Sequence, residues 1–274
     1  MKNIFTCCSV LLLCCSVLSQ TVIPLTDNMD IASNSWIQLQ PGTYNLQDPG
    51  HDGLIRINNK QNIIIDGAGV YANGMNYAGY MIKINNSDNV DIRNFSSASH
   101  YNYALYITNS KNIRINGCNF SYNKVDSTGW IDVWTDYTAA LGGGVMMYKV
   151  DTALVTNSIM KGQNDGVALY HCDSIYLGNN DLSWNTSYGI RMYFSDSCDI
   201  ENNICSHVNR PYTDPSDCGA LLMIVSNRNR VVGNDLSYSG DGVFLGQYNY
   251  SQFPSANYFA YNEWQHTSNS GKGI

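Results

Sequence analysis

Three tyrosines, Tyr148, Tyr170 and Tyr193, recur at spacings of 22 and 23 residues, each closing a short apolar run that opens on Gly. A row of such rings suits the apolar faces of sugar rings, with the phenol as a polar handle. Lys149 and His171 directly follow the first two. Histidine is the side chain whose ordinary pKa suits proton transfer near neutrality. Arg191 lies two residues before Tyr193, and a guanidinium holds a carboxylate bidentately. Asp165 precedes the Gly of its run, while Asp132 lies between Trp130 and Trp134 and Asp136 two residues after Trp134. Acid–base chemistry here would use His171 as acid or base, Arg191 on a substrate carboxylate, and one of the three aspartates, while Tyr148, Tyr170, Tyr193, Lys149, Trp130 and Trp134 would bind the substrate. Each residue also has a plain structural role open to it. The tyrosines can be a stacking ladder, Arg191 can pair with a nearby Asp, Asp165 can be a turn residue, and Asp132 and Asp136 can be loop contacts.

The elements that would position these residues are repeats. Runs open at Gly144, Gly166, Gly189, Gly219 and Gly242, at spacings of 22, 23, 30 and 23. A second short run follows each, as in Ser174-Ile-Tyr-Leu, and a third sits behind an Asn, as in Asn180-Asp-Leu. No repeat has room for a helix. Short β runs at a period near 22 describe a coil of a solenoid, which buries its apolar face only by stacking on its neighbours. Val167, Ile190, Ala220 and Val243 are expected to form one inward column, and Leu169, Met192, Leu222 and Leu245 another. Alternation then turns Tyr148, Tyr170 and Tyr193 outward. Two coils carry extra residues, Ser121 to Gly143 and Cys205 to Cys218. Both inserts fall at the same point of the coil, so they predict a cleft over the coils that open at Gly144 and Gly166.

Composition agrees. Only 14% of residues are charged, the net charge is −7, and there are 34 Asn among 274 residues. A typical globular chain carries about 25% charge. The aromatic content of 12% argues against disorder, and the acidic balance argues against a nucleic-acid binder. Asn repeated at one corner of each coil can bond turn backbone and the Asn of the next coil. Asn157, Asn180, Asn202, Asn234 and Asn262 fit such a ladder.

These repeats resemble the right-handed parallel β-helices of the pectin-lyase-like superfamily. Trp36-Ile-Gln-Leu-Gln-Pro-Gly-Thr-Tyr-Asn-Leu resembles the entry strand of that family, and Ile63-Ile-Ile-Asp-Gly-Ala-Gly its first full coil. The resemblance covers roughly residues 36–274. It implies an all-β, single-stranded right-handed parallel β-helix of about eight coils. It also implies an extracellular polysaccharide as ligand, processed by lyase, hydrolase or epimerase chemistry if the chain is an enzyme. The alternative is a non-catalytic surface or adhesion scaffold, and the sequence leaves both open. Asn164-Asp-Gly comes nearest to a polygalacturonase motif, and Tyr188-Gly-Ile-Arg begins like an epimerase motif and then diverges. No catalytic set of the family can be carried over. No cofactor is expected, and a calcium cluster would need several carboxylates on one face.

The expected organisation is a signal peptide at 1–20, an N-terminal cap and entry strand at 21–52, and the β-helix at 53–274. Lys2 followed by an apolar stretch to Leu18 has the form of an export signal, implying a secreted, periplasmic or cell-surface protein without a membrane span. Five Cys remain beyond it, and Cys205 with Cys218 is the best candidate disulfide. The chain ends Gly271-Lys-Gly-Ile274, which reads as the opening of another coil. An uncapped coil of this kind would offer an edge for end-to-end self-association.

Overall fold

The computed structural model describes residues 20–125, 132–139, 141–210, 218–249 and 251–266. The expected signal segment apart from Gln20, Trp130 in the first insert, and the Gly271–Ile274 end lie outside the described residues. Among the described residues every coil contributes parallel strands to stacked sheets. One sheet has ten strands, from Gln20–Ile23 to Tyr258–Ala260, and a second has nine, from Met29–Asp30 to Asp241–Gly246. A third sheet, Gly42–Asn45, Val70–Asn73 and Ser97–Ser99, is continued by single bridges through Asn119, Ile159, Asp181, Ile204, Asp235 and Glu263. Among the described residues the one helical turn is the 3-10 turn Tyr137–Ala139. No helix of the described residues is long and apolar enough to cross a membrane. This is an all-β parallel solenoid.

The core runs along the axis. Val145, Val167 and Ile190 stack in register, as do Met147, Leu169 and Met192, and all are buried. In the next coil the inward residues are Leu221 and Met223, paired with Ile190 and Met192. The expected Ala220 and Leu222 alignment is off by one residue. Gly219 pairs with Tyr188 and Asp241 rather than with the glycines after them. The strand Gly219–Ile224 is buried along its whole length.

The corners explain the asparagines. After the ten-stranded sheet, Asn94, Gly117, Asn157, Asn179, Asn202 and Gly233 follow one another in register, all with φ between 51° and 70°. Gly and Asn enter this left-handed region at low cost. One residue further on, a buried ladder runs through Asn180, Asn203, Asn234 and Asn262. Each Nδ2 donates to the next Oδ1, at 2.9, 3.0 and 2.9 Å. The Asn203 amide also donates to the Leu177 carbonyl at 2.9 Å, and its Oδ1 accepts the Asn180 backbone N–H. Asn157 and Asn202, expected in this ladder, form the exposed corner instead, and Ser158 and Asn203 take the inward places. No disulfide joins Cys205 and Cys218. Both lie in the core, where burial pushes the Cys205 thiol above its ordinary range.

Asn202 and Asn203 differ in role although adjacent. Asn203→Ala strands several buried partners and is expected to lower unfolding free energy by roughly 1–3 kcal/mol. Asn202→Gly keeps the corner and is expected to change it by less than ~0.5 kcal/mol. Urea unfolding of the two variants measures the contrast.

Candidate functional site

The outer face of the nine-stranded sheet positions the residues singled out above. Lys83, Tyr106, Met146, Ala168, Arg191 and Leu222 stand in one outward line, set by the pairing register. Asn85, Thr108, Tyr148, Tyr170, Tyr193 and Ile224 form a second. The early coils of this face are polar. The later coils form an apolar cluster outside the core, which includes Met146, Ala168, Tyr170, Tyr188, Tyr193 and Leu222.

The tyrosine row faces outward but is not open. Residues 132–139 of the first insert lie across it. The Tyr170 hydroxyl donates to the Thr135 carbonyl and that of Tyr193 to the Trp134 carbonyl, each at 3.2 Å. Trp134 Nε1 reaches the Gln247 carbonyl at 2.7 Å, and the Tyr137 ring stacks on Tyr148 at 3.6 Å. Val133 is buried in the cluster. Tyr170 and Tyr193 are thereby left 2% and 4% exposed, with Tyr148 half-buried. The expected cleft is filled by one of the inserts expected to flank it, because an apolar row this long gains more from cover than from water. Within that segment Asp132 accepts the Trp134 N–H and Asp136 accepts the Thr138 N–H, so both close local turns.

Asp165 and Arg191 are brought together, but away from solvent. Arg191 Nε donates to Asp165 Oδ2 at 2.9 Å, and both side chains are fully buried. The second carboxylate oxygen accepts the Tyr188 N–H, and Arg191 Nη2 donates to Ser187 Oγ. The guanidinium lies 4.7 Å from the Tyr188 ring centre. Burial works against its charge, yet Asp165, Tyr170 and Tyr188 together outweigh that and hold Arg191 protonated. Neither side chain can touch a polymer in this arrangement. A buried pair of this kind strongly resists losing one member. Asp165→Asn is expected to cost roughly 3–5 kcal/mol, and Asp165→Leu combined with Arg191→Met to recover most of it. Thermal or urea unfolding of single and double variants reads this out.

Lys149 and His171 lie on the exposed rim of the sheet, at corners with φ of 53° each. Phe194 and Val225 continue that left-handed column, whereas Asn59, Asn86 and Asn109 occupy it in earlier coils. His171 stacks on Phe194 at 5.1 Å and meets the Tyr148 ring edge-on at 5.8 Å. Hydrogen bonding to Lys149, then to Tyr137, draws the Tyr148 phenol below its ordinary range. Partial burial, then the Lys149 charge, lowers the His171 imidazole against a weaker pull from Asp136. The folded state therefore favours neutral His171. Its contribution to stability is complete above the unfolded value of about 6.5 and is lost as pH falls through the lowered folded value. An NMR titration is expected to place the His171 midpoint below about 6.5, and Lys149→Gln to move it upward.

Sequence reasoning missed the open part of this face. A groove of about 600 Å³ is lined by Asp30, Asp52, Arg56, Asn58, Lys83, Asn85 and Thr108, with Ile57 at its base. Arg56 and Lys83 are register partners in adjacent strands. Arg56 bonds Asp52 at 2.7 Å and Asn28 Oδ1 at 3.0 Å. The Lys83 ammonium lies 5.2 and 5.8 Å from the Tyr80 and Tyr106 ring centres. The sequence held a mark of this pair, since Ile55-Arg-Ile and Ile82-Lys-Ile place a cation at the same outward point of two coils. Among the described residues no three His, Cys, Asp or Glu side chains gather as a metal site.

Three faces of stacked parallel strands around one apolar axis give the chain the fold of a right-handed parallel β-helix. Residues 143–274 match the family model described as the right handed beta helix region. No curated protein matches the chain in sequence. Among solved structures it is similar to PfbA, a surface adhesin of Streptococcus pneumoniae, at 13% identity and a TM-score of 0.57, with 88% of this chain covered. The chain spans 62% of that adhesin's length. It is also similar to the pectate lyase Pel9A, at 11% identity and a TM-score of 0.52, covering 93% of this chain and 79% of the lyase. Likeness at these identities speaks for the fold alone.

Proposed function

We propose that the protein is a non-catalytic binder of an extracellular acidic polysaccharide, held along the groove of Arg56 and Lys83. The observation that carries this reading is the pairing of two register-matched cations with amides and a hydroxyl in one open groove, which Asp30 and Asp52 share. A uronate carboxylate is a hydrogen-bond partner for Lys83 and Arg56. Asn58, Asn85 and Thr108 offer both donors and acceptors to sugar hydroxyls. The half-buried Tyr106 ring beside Lys83 offers apolar surface to a sugar ring. The presence of a surface adhesin among the structures of the same fold supports binding as a use of this scaffold.

Binding is favoured over turnover by the placement of the candidate catalytic groups. Asp165 and Arg191 are sealed from solvent, Asp132 and Asp136 serve their own turn, and His171 is left on the rim without them.

Affinity electrophoresis in gels containing polygalacturonate or alginate is expected to retard the protein, and added salt to reduce the retardation. Arg56→Ala and Lys83→Ala are each expected to weaken binding by roughly tenfold. Absence of retardation in every acidic glycan, from a folded protein, overturns the reading. Release of shortened or unsaturated products would restore the enzyme alternative.

A further inference from the structure

The segment that covers the tyrosine row brings two phenols into an arrangement the row alone does not have. Tyr137 and Tyr148 lie with ring centres 3.6 Å apart and planes 13° from parallel. Aromatic pairs ordinarily sit with centres roughly 4.5–7 Å apart, so this stack is unusually close. The Tyr137 hydroxyl donates to the Tyr148 oxygen, which also takes a hydrogen bond from the Lys149 ammonium. Rings stacked face to face with their hydroxyls joined point the same way. The ring carbons beside the two hydroxyls therefore face each other across the stack.

The other tyrosine pairs among the described residues do not share this geometry. Tyr80 and Tyr106 are 4.6 Å apart but tilted by 38°, and Tyr170 and Tyr193 are 5.8 Å apart at 31°. Tyr80, Tyr170 and Tyr193 are also buried, whereas Tyr137 and Tyr148 are both half-buried and reached by solvent. The sheet itself requires no ring at Tyr148, since Thr108 and Asn85 hold the same outward position in earlier coils.

The surroundings favour loss of an electron here. A phenolate is oxidised more readily than a phenol, and the bonds from Lys149 and Tyr137 favour the charged form of Tyr148. Tyr170 stands edge-on to Tyr137 at 6.3 Å and next to Tyr193 at 5.8 Å. An electron vacancy formed elsewhere in the row can pass through these rings to the stacked pair.

We propose that Tyr137 and Tyr148 are a cross-linking site, joined as a dityrosine when hydrogen peroxide and a haem peroxidase supply the oxidant. Each phenol gives up one electron and one proton. The two radicals pair in a carbon–carbon bond between the ring positions beside oxygen. The hydrogen left on each joined carbon then moves to its own oxygen and restores both phenols. Two phenols and one hydrogen peroxide thus yield one linked biphenol and two waters. The preset stack replaces the diffusional encounter two tyrosines would otherwise need. The product fastens the covering segment to the sheet and restrains the unfolded chain as any covalent loop does.

The test exposes the full chain to peroxidase and limiting hydrogen peroxide, then reads dityrosine fluorescence and maps peptides by mass spectrometry. The expected product is a monomer lighter by two hydrogens, with the Tyr137 and Tyr148 peptides joined and a raised thermal midpoint. Tyr137→Phe and Tyr148→Phe each keep a ring in the stack and are each expected to abolish that product. Lys149→Gln is expected to slow its formation several-fold at neutral pH; an unchanged rate overturns the role given to Lys149. Oxidation in urea is expected to lower the yield at least about tenfold, because the approach belongs to the fold rather than to closeness in sequence. The proposal is overturned if the oxidised, folded monomer keeps both tyrosines unlinked. Links formed chiefly between Tyr80 and Tyr106 or between molecules overturn it too, as does a yield that unfolding leaves unchanged.

Discussion

Each regular coil must turn its corners within about two dozen residues while every backbone group bonds to the coil above or below. That constraint governs the molecule. Sharp corners push residues into the left-handed region, where Asn and Gly are comfortable and other side chains are not. It also fixes the rise between coils, so whatever stands at a corner stands directly over its counterpart. The corner thus sets both the composition of the chain and the linear order of its surface chemistry.

Much of this was legible in the residues. The glycine spacing gave the coil, and the alternation in Asp165–Tyr170 and Tyr188–Tyr193 gave the inward and outward sides correctly. Two readings slipped by one residue, at Ala220 and Leu222 and at Asn157 and Asn202. Each slip has a local cause. Gly219 stands where Tyr188 and Asp241 stand in the neighbouring coils, so aligning it with their glycines shifts the reading by one, and the paired asparagines 202 and 203 offer two equally good ladder positions.

The candidate site divided along the same lines. Outward orientation of the tyrosine row followed from alternation, but its cover did not, because residues 132–139 approach from an insert with no periodic pattern. The burial of Asp165 with Arg191 likewise depends on packing across coils. The Arg56 and Lys83 pair was readable in principle, since both stand at one fixed point of the repeat, but the apolar and Asn positions dominate the pattern around it. In a solenoid the informative residues are those that depart from the column they stand in.

The segment across the tyrosine row has a mechanical consequence. Repeat proteins of this type hold each coil mainly through its immediate neighbours, and such arrays can peel from an end. Residues 134–137 touch Tyr148, Tyr170 and Tyr193 in three successive coils, and Trp134 reaches Gln247 two coils further on. The segment acts as a strap laid along the stack. Under a pull directed along the axis, these coils cannot separate singly; they must be released together. Among the described coils the load-resistant part is therefore the C-terminal half of the nine-stranded sheet, and extension would begin in the coils that precede Gly143.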